Sequence, residues 1–348
     1  MTEDIIRIGI VGAGANTRLR HIPGFQAISG VEIHGVVNSS PESTAKAAED
    51  FEIPKTYTTW QELVADPEID AVMIGTWPDL HCEITCAALE AGKHVLTEAR
   101  MARNVAEARQ MLDVSDKHPD LVAQIVPSPF GLKHHDFLQD LIVDNFLGDL
   151  REVVVIGADD TFWDYTNPIH WRQDAEISGF NVLTLGIMHE TVSRLIPKTV
   201  RVTAQTAIFE VTRPEANGPA DIPVTVPDSV HVMTQLEGGA RGIYHFSGID
   251  LFGPGRQIHL YGSRGTIKLI CDQEEQLFTG RLKDPELTKI ELAPEKQGFW
   301  RVEEEFICAI RGEESVQLTD FKSGVAYMEF TEAVANSAKT SQPVDLPL

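Results

Sequence analysis

Short apolar runs alternate with amphipathic segments along the first 126 residues. Ile5 to Val11 is a β-branched run with no Pro and a Gly only at position 9, the pattern of a buried strand covered on both faces. Val31–Val37, Ala71–Gly75, His94–Thr97 and Leu121–Val126 repeat it. Helix-compatible segments lie between: one from about Asn16, Pro41–Asp50 with Ser39 or Ser40 as cap, Thr59–Asp66, His81–Ala91 ending at Gly92, and Asn104–Lys117 with Asn104 as cap. The order βαβαβαβαβ predicts an α/β domain with a doubly wound parallel sheet over residues 1–126.

After Pro127 the pattern changes. A helix at His134–Asn145 and a strand at Glu152–Gly157 precede a polar, aromatic stretch from Asp159 to Gln173. A helix is predicted over Asn181–Ile196. Long period-two runs follow at Arg201–Val211, Ser229–Leu236, Ala240–Ser247, Gln257–Gly262 and Thr266–Ile270, separated by turns such as Glu237-Gly238-Gly239. Helices at Trp300–Arg311 and Lys322–Ala338 close the chain. Residues 127–348 thus read as an α+β domain with a large, mainly antiparallel sheet. The Pro- and Gly-rich stretch Arg213–Pro227 reads as a loop.

The chemistry starts at Gly12-Ala13-Gly14, between the first strand and first helix. The first glycine makes a tight turn, the second admits a pyrophosphate, and a helix N-terminus faces the anion. This predicts a Rossmann dinucleotide site, with Thr17 rather than Gly or Ala at the third fingerprint position. At the end of the second strand stands Asn38, where NAD enzymes usually carry an acid. Asn38-Ser39-Ser40 has nothing to repel a 2′-phosphate and has hydroxyls to bind one, so the pattern leans to NADP over NAD. Thr76-Trp77-Pro78 and Glu98-Ala99-Arg100 leave later strands at the same C-terminal edge. The expected cofactor residues are Gly12, Gly14, Ala15, Asn16, Thr17, Asn38, Ser39, Thr76, Trp77, Pro78, His81 and Glu98.

A net charge of −23 argues against nucleic acid or an anionic membrane as partner. There is no apolar run of membrane-spanning length and no leader pattern at the start, so the cytoplasm is the expected compartment. Cys82 and Cys86 lie four apart on a predicted helix but lack a completing ligand pair, and His134, His135 and His170 lack supporting carboxylates. Buried reduced thiols and no metal are expected.

These residues resemble the Gfo/Idh/MocA oxidoreductases, which include glucose–fructose oxidoreductase and inositol dehydrogenase. The resemblance rests on Gly12-Ala13-Gly14, His21, Pro23, Ile69-Asp70-Ala71-Val72 leading to Pro78 and His81, and the run Ala87 to Leu96. Trp171-Arg172, Ser178-Gly179 with His189, Tyr261 to Thr266 and Asn336-Ser337-Ala338 extend it through nearly the whole chain. It implies hydride transfer between a nicotinamide cofactor and a sugar, cyclitol or similar polyol. It also implies homodimers or homotetramers built through the open face of the C-terminal sheet.

The chain departs from the family where Ala99-Arg100 stands for the usual Lys-Pro, and where Leu185, beside Thr184, stands four residues before His189 in place of an acid. His189 is then the acid/base candidate, with Arg100 in an auxiliary role that excludes general base chemistry. Trp163, Trp171 and Arg172 are expected to line the substrate pocket, because aromatic faces with polar neighbours suit sugar rings. Two alternatives remain open: a net elimination or hydrolysis with transient oxidation by bound NAD, and a cofactor-binding protein without catalysis.

Overall fold

The computed structural model describes residues 5–216 and 218–348, which form two compact units. The first comprises Met1–Pro127 with Arg301–Val325, the second Ser128–Trp300 with Ala326–Leu348.

The first unit is a six-stranded parallel sheet: β1 (Ile6–Val11), β2 (Val31–Val37), β3 (Lys55–Thr56), β4 (Ala71–Ile74), β5 (His94–Thr97) and β6 (Ala123–Ile125), in the order β3-β2-β1-β4-β5-β6. Strand order reverses beside β1, so the crevice for a ligand opens at the C-terminal ends of β1 and β4. Ile8, Ile10 and every residue of β4 are buried, as helices on both faces require. Strand β3 escapes a hydrophobicity reading because it is two residues long and only half-buried.

The helices α1 (Ile22–Gln26), α2 (Pro41–Asp50), α3 (Trp60–Ala65), α4 (Pro78–Glu90) and α5 (Val105–Lys117) connect the strands. The segment expected as a helix from Asn16 begins instead as a π-helical turn, Thr17–His21, which runs into α1. Ser40 caps α2 in a reciprocal box with Ser43, and Asn104 caps α5 through the Glu107 amide. A late segment completes the unit. Phe306, on a helix described below, meets Phe25 edge-on at 6.3 Å, and the Ile125 amide donates to the Thr319 carbonyl at 3.0 Å.

The second unit begins with α6 (His135–Val143) and β7 (Leu150–Ala158). The short helix α7 (Ala175–Ser178), α8 (Leu185–Ser193) and β8 (Thr199–Ala207) follow. The stretch expected as loop carries a small ribbon, β9 (Thr212–Pro214) and β10 (Asp221–Pro223). Then come β11 (Ser229–Leu236), β12 (Arg241–Ser247), β13 (Gly255–Gly262), β14 (Gly265–Cys271), β15 (Glu275–Arg281) and β16 (Thr288–Ile290). Helix α9 (Val302–Ile310) belongs to the first unit, α10 (Phe321–Thr340) passes from one unit into the other, and β17 (Val344–Asp345) ends the chain.

The sheet order is β16-β15-β14-β13-β7-β12-β11-β8-β17, antiparallel except where β7 meets β12. Alternate residues such as Val153, Val155, Tyr244, Phe246, Ile258 and Leu260 bury one face against α8 and α10. The other face leaves Met233 and Ile243 exposed. Several expected boundaries move, two of them for a visible local reason. The helix carrying His189 starts at Leu185, because Leu183 takes a positive φ of 48°. The strand from Arg201 stops at Ala207, because the Asp228 carboxylate draws in the Phe209 and Glu210 amides.

Candidate functional site

A cavity of about 520 Å³ lies where β1, β2 and β4 end. Its shape follows from the glycines. Gly12 has φ +88°, and a Cβ there would stand 2.8 Å from the Gly75 and Thr76 backbone. Gly14 differs: a Cβ would make only an ordinary contact, 3.5 Å from the Gly75 carbonyl oxygen. The chain's own packing does not demand glycine at 14, so its bare backbone faces open space. That is the cradle a pyrophosphate needs. Thr17 is buried, its hydroxyl donating to the Gly12 carbonyl. Room for it comes from across the crevice, since a Cβ on Gly75 would fall 2.2 Å from the Thr17 hydroxyl. The fingerprint's missing third small residue is thus replaced by Gly75.

Asn38 is spent on the scaffold. Its amide oxygen accepts from the Ala13 amide at 2.6 Å, and its nitrogen donates to the Ser43 carbonyl at 2.9 Å. Of the residues expected to hold the cofactor, Gly12, Gly14, Asn38, Ser39, Thr76 and Trp77 line the cavity. Ala15, Asn16, Thr17, Pro78, His81 and Glu98 do not; Ala15 is exposed, while Thr17 and His81 are buried. His81 is fully buried between the Arg100 carbonyl, 2.9 Å from Nδ1, and the Thr76 carbonyl, 3.1 Å from Nε2. It ties together the turns after β4 and β5, and burial pushes its pKa down. Thr58, Thr59, Trp60 and Gln61 also line the cavity and were missed. They follow β3, whose two residues give no apolar signal. Burial pushes the Asp79 carboxyl up, and no Lys or Arg lines the cavity among the described residues.

The first unit also holds a buried ionic cluster. His21 Nδ1 lies 2.5 Å from Glu303 and Nε2 lies 3.0 Å from Glu98. Burial pulls the imidazole down, but the hydrogen bonds and charges of Glu303 and Glu98 outweigh it and leave His21 pushed up to about 9. Burial works against ionisation of Glu98 too, yet His21 and Asn16 hold its carboxyl below the usual range. Glu98 also receives the Asn16 side-chain amide and the Ala99 amide. No sequence spacing links residues 21, 98 and 303, so only the fold discloses the cluster. Arg100 is buried next to this turn, at 4% exposure.

In the second unit, His189 is 6% exposed and stacks on Phe330, with centroids 3.5 Å apart and planes 6° from parallel. Its Nδ1 lies 3.0 Å from the Tyr244 hydroxyl, and burial pushes its pKa down to about 3. The ring is neutral at pH 7. Leu185 is in the core, so no carboxylate reaches the ring from one turn earlier. Glu190, on another face of α8, accepts from the Ser128 amide and pairs with Arg194. Trp163 is 51% exposed, while Trp171 lies under the Arg172 guanidinium at 4.2 Å.

The cysteines are free, and Cys82, Cys86 and Cys271 are buried. Among the described residues, His34, Asp66 and Glu68 converge as metal ligands might, but the Lys55 ammonium already pairs with Asp66 and stands 3.4 Å from Glu68. No helix of the described residues is long and apolar enough to cross a membrane.

Residues 6–125 match the family described as "Oxidoreductase family, NAD-binding Rossmann fold", and residues 135–268 match the GFO/IDH/MocA C-terminal domain. A levoglucosan dehydrogenase of Pseudarthrobacter phenanthrenivorans is 28% identical over 222 residues, 60% of this chain and 56% of that protein. A 1,5-anhydro-D-fructose reductase of Ensifer adhaerens is 40% identical over 106 residues, 30% of this chain and 32% of that one. The matched stretches span about half, or less, of these relatives' lengths. The solved structure of a levoglucosan dehydrogenase in complex with NADH and levoglucosan superposes with a TM-score of 0.89 at 22% identity, covering 99% of this chain and 100% of that one.

Proposed function

The chain belongs to the Gfo/Idh/MocA oxidoreductase family, and on that premise we propose that it is an NAD-dependent dehydrogenase or reductase acting on a secondary hydroxyl of a sugar-like or cyclic polyol. The observation that carries this reading is the cavity at Gly14, whose missing Cβ serves no packing need of the chain itself. Gly12, Gly14, Ser39, Thr76 and Trp77 would hold the dinucleotide, which supplies a hydride acceptor or donor when bound. Its 2′-hydroxyl end would meet Ser39 beside an Asn38 already committed to Ala13 and Ser43. A 2′-phosphate would find no cation among the lining residues, so NAD is favoured over the NADP suggested by Asn38-Ser39-Ser40.

In this reading Trp163, Trp171 and Arg172 hold the polyol. His189 meets the reacting oxygen through Nε2 while Tyr244 fixes the ring at Nδ1. Protonating a ring of pKa about 3 at pH 7 costs about 5 kcal/mol at about 1.4 kcal/mol per unit. His189 therefore acts as a neutral hydrogen-bonding partner, the hydroxyl proton released on oxidation passes to solvent, and Arg100 supplies fixed positive charge rather than a base. A second reading, a cofactor-binding protein without turnover, is favoured by a different observation: Ala99 and Leu185 stand where the family resemblance implies a lysine and an acid. A soluble cytoplasmic homodimer or homotetramer completes the proposal. It would be built on the sheet face where Met233 and Ile243 border a depression of about 440 Å³ with Arg201, Arg241 and Glu152.

The test is a thermal-shift and fluorescence titration with NAD, NADH, NADP and NADPH, on protein checked for co-purified nucleotide, followed by a polyol screen read by nicotinamide absorbance. Stabilisation by NAD or NADH and turnover of a polyol are expected. Response to none of the four, with no nucleotide already bound, would sink the dehydrogenase reading. Binding without turnover would move the conclusion to the non-catalytic protein.

A further inference from the structure

Arg213 was read from sequence only as the start of a Pro- and Gly-rich loop. It is among the largest fully buried side chains of the protein, at 2% exposure. A buried guanidinium normally meets a carboxylate, because its desolvation is otherwise poorly compensated. Here its hydrogen-bond partners are backbone carbonyls. Nη1 donates to the Asp164 carbonyl at 2.7 Å, Nη2 donates to the Phe162 carbonyl, and the guanidinium carbon stands 5.9 Å from the centre of the Phe162 ring. Nε finds no acceptor among the described residues.

Both carbonyls belong to the segment between β7 and α7 that holds Trp163 and Tyr165. Two further bonds pin it: the Phe162 amide donates to the Gly248 carbonyl at 2.6 Å, and the Ile169 amide donates to the Pro214 carbonyl at 2.8 Å. Gly248 gives Phe162 its seat, since a Cβ there would fall 2.7 Å from the ring. The ribbon β9 thus grips both ends of the segment, by the Arg213 side chain and by the next residue's carbonyl. Between and beyond the gripped residues 162 and 164, Trp163 and Tyr165 stand out at 51% and 59% exposure. Large aromatic groups so exposed on a backbone so firmly held form a prepared stacking surface.

We propose that Arg213 is a positioning residue that fixes Trp163 and Tyr165 as a stacking platform for the apolar face of a sugar or cyclitol ring, and so sets substrate affinity. The platform's ligand class rests on the polyol reading above; the clamp itself does not. The fork geometry explains why arginine is needed: one planar group reaches two carbonyls two residues apart, whereas a lysine ammonium is a single point on a flexible stem.

The experiment compares the full-length protein with Arg213→Lys, Arg213→Met and Trp163→Ala. Hydrogen exchange by mass spectrometry reads the amides of residues 160–170. Steady-state kinetics on the best polyol from the screen read KM and kcat, and a titration reads NAD affinity. Both Arg213 variants should exchange about tenfold faster in this segment and no faster in the parallel-sheet unit. They should raise KM about tenfold with kcat within about twofold, and leave NAD affinity unchanged. Trp163→Ala should raise KM alike without faster exchange. Wild-type exchange rates in the Arg213 variants overturn the clamp. A matched fall in kcat with unchanged KM, or a Trp163→Ala enzyme with wild-type KM, overturns the platform. If the wild type turns over no polyol, the dehydrogenase reading fails and the exchange result still decides the clamp.

Discussion

The buried cluster of His21, Glu98 and Glu303 makes a quantitative claim about alkaline stability. The imidazole is pushed from 6.5 to about 9 by its two carboxylate partners. A group whose folded pKa lies above its unfolded value adds stability that is complete below the unfolded value and is lost as pH rises through the folded one. The window is therefore pH 6.5 to 9, and the amount at stake is about 3 kcal/mol at about 1.4 kcal/mol per unit. Glu98, held below the ordinary carboxylate range, acts at the other end: its contribution is present above its unfolded value and fades only in acid. The two effects separate cleanly. The perturbation is His21→Gln, with Glu303→Gln as the variant that keeps the ring and removes one carboxylate. The assay is urea unfolding at steps from pH 6 to 9.5. The wild type should lose about 3 kcal/mol across the window, Glu303→Gln clearly less, and His21→Gln none of this component. Wild type and His21→Gln running parallel across the window would refute the argument, since the cluster would then not be binding an extra proton in the folded state. The same cluster predicts that a fragment ending at Pro127 keeps Glu98 but lacks Glu303, one of the two carboxylate partners of His21, and unfolds more readily than the first unit of the whole chain.

The remaining predictions concern the cavity and His189. Gly14→Ala should keep wild-type thermal stability and lose at least about tenfold in NAD affinity, whereas Gly12→Ala should lose stability as well, because its Cβ meets backbone at 2.8 Å and its φ is +88°; calorimetry and a nucleotide titration separate the two. If His189 works as a neutral partner, kcat should be flat from about pH 5 to 8, without the limb near 6.5 of an ordinary histidine, and such a limb would contradict the burial argument. Phe330→Ala removes the ring stacked on His189 and should cost about 3–5 kcal/mol, with the imidazole rising toward its ordinary range in an NMR titration.

The sequence by itself determined the elements and the nucleotide edge. A β-branched run followed by Gly-Ala-Gly leaves few options for the backbone, and alternation of two periods separates a parallel sheet with helical crossovers from an antiparallel one. Local signals also placed the caps at Asn104 and at Ser39 or Ser40, of which the structure selects Ser40, because those bonds close within three residues. Tertiary structure decided what depends on residues far apart in the chain. Thr17 fits the fingerprint only because Gly75, 58 positions later, leaves it room. Asn38, expected as a cofactor residue, lines the cavity and also holds Ala13 and Ser43. Residues 301–325 join the first unit through His21 and Ile125, which no composition shift announces. Strand β3 and the Thr58–Gln61 wall follow the sheet's need for another edge, not a hydrophobic run of their own. His189 illustrates the division most plainly. Its position on an apolar helix was legible, but its neutrality comes from burial among groups such as Phe330 and Tyr244, and a pKa is a property of surroundings that only folding assembles.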